Sequence, residues 1–263
     1  GAEHIWQGNP DAWKRHAPVL FPLVGKYKDN KIQYQGKTYE MSQHGFARDM
    51  EFVPVSKTKD SIVMNLTDTK ETLEKYPFHF ELQCSFTLKG SSIEAGWKVI
   101  NSDVETMYFS IGGHPAFNVP ANGNNDKKED YLLTFNGKKS LTYLLLDPAS
   151  GTALSDQTKT LELTDGTCHI DAHMFDNDAL IFDNQIEKAG IAFPDGTPYL
   201  ELTCHRFPNF GIWSVPGSSF VCLEPWMGRC DDCGFKGDLS EKANINALNA
   251  DEIFNASYEI KIY

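Results

Sequence analysis

Runs of β-branched and aromatic residues, each cut short by turn-forming residues, recur from residue 61 to residue 262 and constrain the fold more than any other feature of this chain. They occupy residues 61–66, 79–88, 92–99, 107–111, 131–135 and 141–146, then 179–182, 190–193, 199–204, 210–215, 220–223 and 253–262. Lys89-Gly90-Ser91-Ser92 and Pro194-Asp195-Gly196-Thr197 stand between such runs as hairpin turns, with Asp-Gly supplying positive φ. Helical periodicity is confined to residues 70–76 and 236–243, too short to alternate with strands as a parallel α/β sheet requires. The expectation is an all-β fold of antiparallel sheets, a sandwich or a barrel.

At 263 residues and 41% hydrophobic content the chain can bury a sizeable core, and residues 1–263 are expected to form a single domain. The polar stretch 121–130 reads as a surface loop within that domain. A net charge of -12 opposes binding to a phosphate backbone, so nucleic acid is not an expected partner. No apolar run reaches the roughly 18 residues a membrane span needs, and residues 1–10 lack the layout of a secretion signal, so a cytoplasmic protein is expected. Six scattered cysteines are expected as reduced thiols. Cys230-Asp231-Asp232-Cys233 has zinc-ligand spacing but no second matching pair, and is read as an exposed polar loop, with no metal expected.

Three segments set a titratable side chain among residues that bend the backbone: Gln43-His44-Gly45-Phe46-Ala47-Arg48, Gly112-Gly113-His114-Pro115-Ala116-Phe117-Asn118 and Leu223-Glu224-Pro225-Trp226. In the second, the glycines allow close approach and Pro115 directs the exit, so His114 is held. In the third, Glu224 follows an apolar run and is expected at a buried sheet end, where desolvation raises its pKa. Each has an ordinary alternative, a structural histidine or a glutamate that caps a turn or pairs with Arg229.

These segments, with Trp13-Lys14-Arg15-His16-Ala17-Pro18-Val19-Leu20-Phe21-Pro22 and Tyr76-Pro77-Phe78, occur in an order that resembles the aldose 1-epimerases, also called galactose mutarotases, and particularly their LacX-like branch. The resemblance spans nearly the whole chain. It implies a large antiparallel β-sandwich of the galactose mutarotase type with a sugar cleft on one sheet, Glu224 as catalytic base, His114 as catalytic acid, and no cofactor. It further implies that His44 bonds the sugar, that Arg15 is the counterpart of a substrate-binding arginine, and that Asp178 holds sugar hydroxyls, with Asp176 and Asp183 as competitors. The Arg15 segment is closer to the hexose-6-phosphate branch. Family members usually carry additional strands ahead of residues 4–8, which sets up the expectation that N-terminal sequence is missing here.

The chemistry explains the residue types. Opening a cyclic hemiacetal removes a proton from the anomeric oxygen while another reaches the ring oxygen, so a base and an acid are expected on opposite sides of the substrate. Glu224 is expected to be raised and His114 to stay near its ordinary value. Trp226 and Phe46 are available to stack on a pyranose face, or simply to pack the core. Lys14, Arg15, Lys26 and Arg48 are available to hold a sugar phosphate, or are solvated charges. Two rivals remain: a cupin-like metal oxygenase, for which His-x-His is missing and His169 and His173 are badly placed, and a non-catalytic carbohydrate-binding module. The oligomeric state is left open.

Overall fold

In the computed structural model, which describes residues 2–121 and 125–263, alternating side chains sort the strands into two layers. Phe80–Lys89 and Ser92–Asn101 show the rule: Phe80, Leu82 and Cys84 on one, and Ala95, Trp97 and Val99 on the other, are buried between polar neighbours. The Gly90-Ser91 turn closes them into a hairpin with Lys89 opposite Ser92. Their sheet has nine strands in the order Thr167–His169, Leu132–Thr134, Lys188–Ala192, Pro198–Thr203, Ile253–Ile262, Ser92–Asn101, Phe80–Lys89, Ser61–Thr67 and Val53–Lys57. A second, eight-stranded sheet runs Val19–Leu20, Ile111–Gly113, Phe220–Met227, Asn209–Trp213, Leu180–Asp183, Ser140–Leu146 and Ala153–Glu162, with Ala116–Asn118 also paired to Phe220–Met227. All ladders between these strands are antiparallel. Aromatic side chains from both sheets, among them Phe80, Trp97, Phe182 and Phe210, fill the core between them. No helix of the described residues is long and apolar enough to cross a membrane.

Phe220–Met227 is buried on both faces. Val221 and Leu223 enter the core, while Phe220, Cys222, Glu224 and Trp226 point the other way. Two small apolar clusters cover that outer face. One joins Trp6 and Trp13 to Phe220 and Cys222; the other joins Leu20, Val24, Leu144 and Ile181 to Trp226. Glu224 lies between them. It is therefore in mid-strand, not at the sheet end expected from a run ending at residue 223, because the outer face stays covered as far as Trp226.

Other departures have local causes. The run 107–111 breaks into Met107–Phe109 and Ile111–Gly113, since Ser110 donates its N–H to Pro22 and accepts the Val24 N–H on its hydroxyl. In the Asp195-Gly196 turn only Gly196 has positive φ, and Asp195 instead accepts from the Thr197 N–H. The segment 236–243 holds just a short 3-10 turn, Leu239–Glu241. Within the polar loop 121–130, residues 122–124 lie outside the described residues, and Lys128 is buried, donating to the Ser214 hydroxyl. Of Cys230-Asp231-Asp232-Cys233, expected as an exposed loop, Cys230 and Asp231 are buried, Asp232 is half-buried and Cys233 is exposed. Charge is compensated in pairs there: Arg229 with Asp183 and Asp232, Asp231 with Lys242 at 2.8 Å.

Candidate active site

The outer face of the eight-stranded sheet forms the floor of a cleft. Trp226 lies flat on it because both flanking strands present glycine: a Cβ on Gly112 or on Gly211 would come within 2.5 Å of the indole. Gly211 stands opposite Glu224 in the ladder, so the same absence of a side chain opens space beside the carboxyl. Gly211→Ala is expected to tilt the indole, costing about 1–3 kcal/mol as an overpacked site. Thermal unfolding and tryptophan emission measure this; an unshifted emission and melting temperature would contradict the stacking described.

His114 arrives from the short link between Ile111–Gly113 and Ala116–Asn118, held down where Ala116 pairs with Cys222 and the Leu223 N–H donates to the Pro115 carbonyl. Its Nε2 lies 3.3 Å from Glu224 Oε2. Trp13 stacks on the imidazole at 4.7 Å between centroids, and Trp213 and His44 meet it edge-on. His44 sits in a turn at φ 65, where its N–H donates to the Gly25 carbonyl and its Nδ1 accepts the Gly25 N–H. That bond places the proton of a neutral ring on Nε2. The next residue, Gly45, has φ 70 and passes so close to the Phe21 carbonyl that no side chain fits.

Burial dominates the electrostatics. Glu224, 1% exposed, is held well above the usual carboxyl range by desolvation, with Asp178 adding to the shift; the Trp226 indole lowers it somewhat, at a geometry short of a hydrogen bond. His114 is pushed down to about 3, first by burial, then by Arg48 and Arg15, against its own backbone dipole. His44 is lowered too, by burial and by His114. The expectation that His114 keeps its ordinary value is thus corrected: three aromatic or imidazole rings and the sheet deny an imidazolium its water. Both shifts favour the protonated carboxyl and the neutral imidazole.

The cleft, about 290 Å³, gathers residues from distant parts of the chain. Glu224, His114, His44, Asp178, Arg48 and Trp226 all line it. Asp178 stands exposed at its mouth in a positive-φ turn, accepting the Ala179 N–H. Its two competitors are occupied elsewhere, Asp183 by Arg229 and Asp176 by His173. Arg229 is therefore not the partner of Glu224. Arg15 does not line the cleft: both guanidinium ends bond Asp49, and with Lys14 it borders a separate, largely apolar hollow. Phe46 also falls outside, packed on Tyr76 and Phe80 in the core. Glu224 and His114, expected on opposite sides of a substrate, do not face each other across a ligand-sized gap but lie 3.3 Å apart.

Trp13 and Trp213 line the cleft although the sequence does not single them out, and Lys26, one of the four candidate phosphate-holding cations, lines it as well. For Trp213 the signal is the strand register that sets it opposite Cys222. Four buried polar atoms without hydrogen-bond partners among the described residues, Arg48 Nε, His114 Nδ1, Glu224 Oε2 and Trp226 Nε1, belong to residues of this cleft. Buried polar groups are seldom left so. For a metal, His169 and His173 offer no pair, His173 being exposed and bonded to Asp176. The group of His, Cys and acidic side chains that comes together among the described residues is His114, Cys222 and Glu224.

Comparison with known proteins gives consistent results. Residues 1–190 match the family described as aldose 1-epimerase, a match that stops short of Glu224. Protein LacX of Lactococcus lactis subsp. lactis is 31% identical over all of this chain and 90% of its own length. A galactose mutarotase related enzyme from Lactobacillus acidophilus superimposes with a TM-score of 0.93 at 34% identity, covering 99% of this chain and 87% of that one. A galactose mutarotase-like protein from Lactobacillus casei gives 0.88 at 28% identity, covering 99% and 90%. The β-sandwich is thus of the galactose mutarotase type.

Proposed function

Because this chain belongs to the aldose 1-epimerase family and is an enzyme of the carbohydrate-epimerase type, we propose that it interconverts the α and β anomers of a hexose such as galactose or glucose, using Glu224 as base and His114 as acid. The observation that carries the reading is the His114–Glu224 pair at 3.3 Å, buried beside a small cleft whose polar atoms lack partners. Transfer of the carboxyl proton across the contact gives carboxylate and imidazolium, the form that acts on the cyclic sugar. Glu224 takes the proton from the anomeric hydroxyl as His114 gives one to the ring oxygen, and the ring opens to the aldehyde. The pair is then a protonated carboxyl and a neutral imidazole, the form that burial favours in the resting cleft. Rotation about the bond between carbons 1 and 2 and closure with both roles reversed yields the other anomer.

The two forms of the pair hold the same number of protons and differ by one transfer across the 3.3 Å contact. His44 and Asp178 are placed to bond hydroxyls, and Trp226 offers its flat face to the ring. Lys26 and Arg48, both cationic and both in the cleft, favour a second reading in which the hexose carries a phosphate.

Anomer exchange followed by NMR magnetisation transfer on glucose, galactose and glucose 6-phosphate tests both. Acceleration of exchange is expected, at a rate that does not fall as pH drops through 6.5, since His114 has left the ordinary histidine range. The preferred substrate separates free sugar from phosphate. A folded protein that binds these sugars and exchanges none of them is a carbohydrate-binding module instead.

A further inference from the structure

We infer that His114, Cys222 and Glu224 form a three-ligand site for zinc or a similarly thiophilic divalent cation, and that filling it stops catalysis. The sugar chemistry has no use for Cys222, yet its thiol lies on the same face as Glu224, two residues away along the strand. One ligand atom from each of the three side chains lies within 4.8 Å of the others, and all three residues are buried. A tetrahedral zinc ion with bonds of about 2.0–2.3 Å spaces its ligand atoms roughly 3.3–3.7 Å apart. The His114–Glu224 edge, at 3.3 Å, already has that spacing. Closing the other edges takes a shift of little more than about 1 Å.

A second observation points to a ligand here. Glu224 Oε2 is buried, 1% of the residue being exposed, and has no hydrogen-bond partner among the described residues, although it faces His114 Nε2. Charge is balanced as well. A thiolate and a carboxylate neutralise a dication, and a neutral imidazole adds nothing, so the filled site buries no net charge. Nitrogen and sulfur donors with a single carboxylate suit zinc and exclude magnesium or calcium, which require mostly oxygen. His114 and Glu224 line the cleft, which supplies the route in and leaves a fourth position open to water. The ion takes the lone pairs that the base and the acid need, so it competes with proton transfer.

The inhibition rests on the anomer-exchange reading; the binding does not. Protein treated with a chelator and then freed of it is to be titrated with zinc chloride, and with magnesium chloride as a control, while exchange is followed by NMR. In parallel, cobalt(II) replaces zinc and the sulfur-to-cobalt absorption is recorded. Expected are full activity without metal, loss of at least about 90% of exchange with excess zinc, no effect of magnesium, and a thiolate band. Cys222→Ser and Cys222→Ala, each checked for an intact thermal transition, are expected to lose the band and to raise the half-inhibiting zinc concentration at least about tenfold relative to their own uninhibited rates. A band or an inhibition that survives both substitutions overturns the site, because the other five cysteines are untouched. Activity that disappears on chelation and returns with zinc overturns the inhibitory role. A band that depends on Cys222 in a protein that exchanges no sugar supports the metal site and counts against the anomer-exchange reading alone.

Discussion

Glu224→Gln is expected to slow anomer exchange by about 10²–10⁴-fold, the range that a positioned general base supplies, while making the protein more stable near neutral pH. Both effects come from one geometry. The carboxyl is buried against the sheet, next to His114 and near Asp178, and its Oε2 has no hydrogen-bond partner among the described residues. In the unfolded chain the same group ionises around its ordinary value of 4.5. Folding at any pH between that value and the raised one therefore requires uptake of a proton, and stability falls by about 1.4 kcal/mol for each pH unit across that window. A glutamine amide fits the same space and takes up no proton. The gain in melting temperature over the wild type is expected to be largest near neutral pH and to shrink to nothing as pH approaches 4.5. Denaturation at a series of pH values, beside exchange rates, checks this; a variant less stable than wild type at pH 7 would mean that Glu224 is ionised and well paired.

Lys242→Met is expected to cost about 3–5 kcal/mol of folding stability, the penalty for leaving one member of a buried ion pair without the other. Lys242 and Asp231 are each 5% exposed, and Lys242 Nζ is 2.8 Å from Asp231 Oδ1 and lies over the Tyr27 ring. Asp231 also accepts the Lys28 N–H on its carboxylate and donates its own N–H to Lys26. The neighbouring Cys230 packs directly on Gly25, whose backbone holds His44. Loss of the lysine is thus expected to loosen one wall of the cleft, raising KM more than it lowers kcat. Replacing both partners with Lys242→Met and Asp231→Asn is expected to recover most of the stability, since no buried charge is then left alone. Urea denaturation distinguishes the cases, and a loss below about 1 kcal/mol for the single change would show that solvent reaches Asp231.

What could be read from the residues alone follows the strength of local signals. Phe80–Lys89, Ser92–Asn101 and Ile253–Ile262 announce themselves by alternation because one face is buried. Ala153–Glu162 does not: it is a ten-residue edge strand, exposed along most of its length, and carries no apolar alternation. Glu224, His114 and His44 stand out because each lies in a distinctive short segment. The walls around them do not, since Trp13 comes from an irregular stretch and Trp213 is aimed by a register that only the paired strand defines. Arg15 lies in a distinctive segment too, yet nothing in that segment announces that its guanidinium bonds Asp49, a surface aspartate thirty-four residues away. Burial of Asp231 is equally hidden in the sequence: its partner Lys242 is eleven residues away, and only pairing makes burial of such a residue tolerable. The lowered pKa of His114 is a property of what packs around it, Trp13 above all, and no nearby residue in the sequence announces it.

Catalysis is expected to require His114 and Glu224 acting as one proton-handling unit. The direct test compares sugar exchange, by NMR in chelator-treated buffer, for wild type, His114→Asn, Glu224→Gln and the double variant. Because each role is useless without the other, each single change is expected to remove nearly all of the acceleration and the double change to cost little more than either alone. If either single variant keeps wild-type exchange, or if the two losses multiply as for independent groups, the pair is not the catalytic unit.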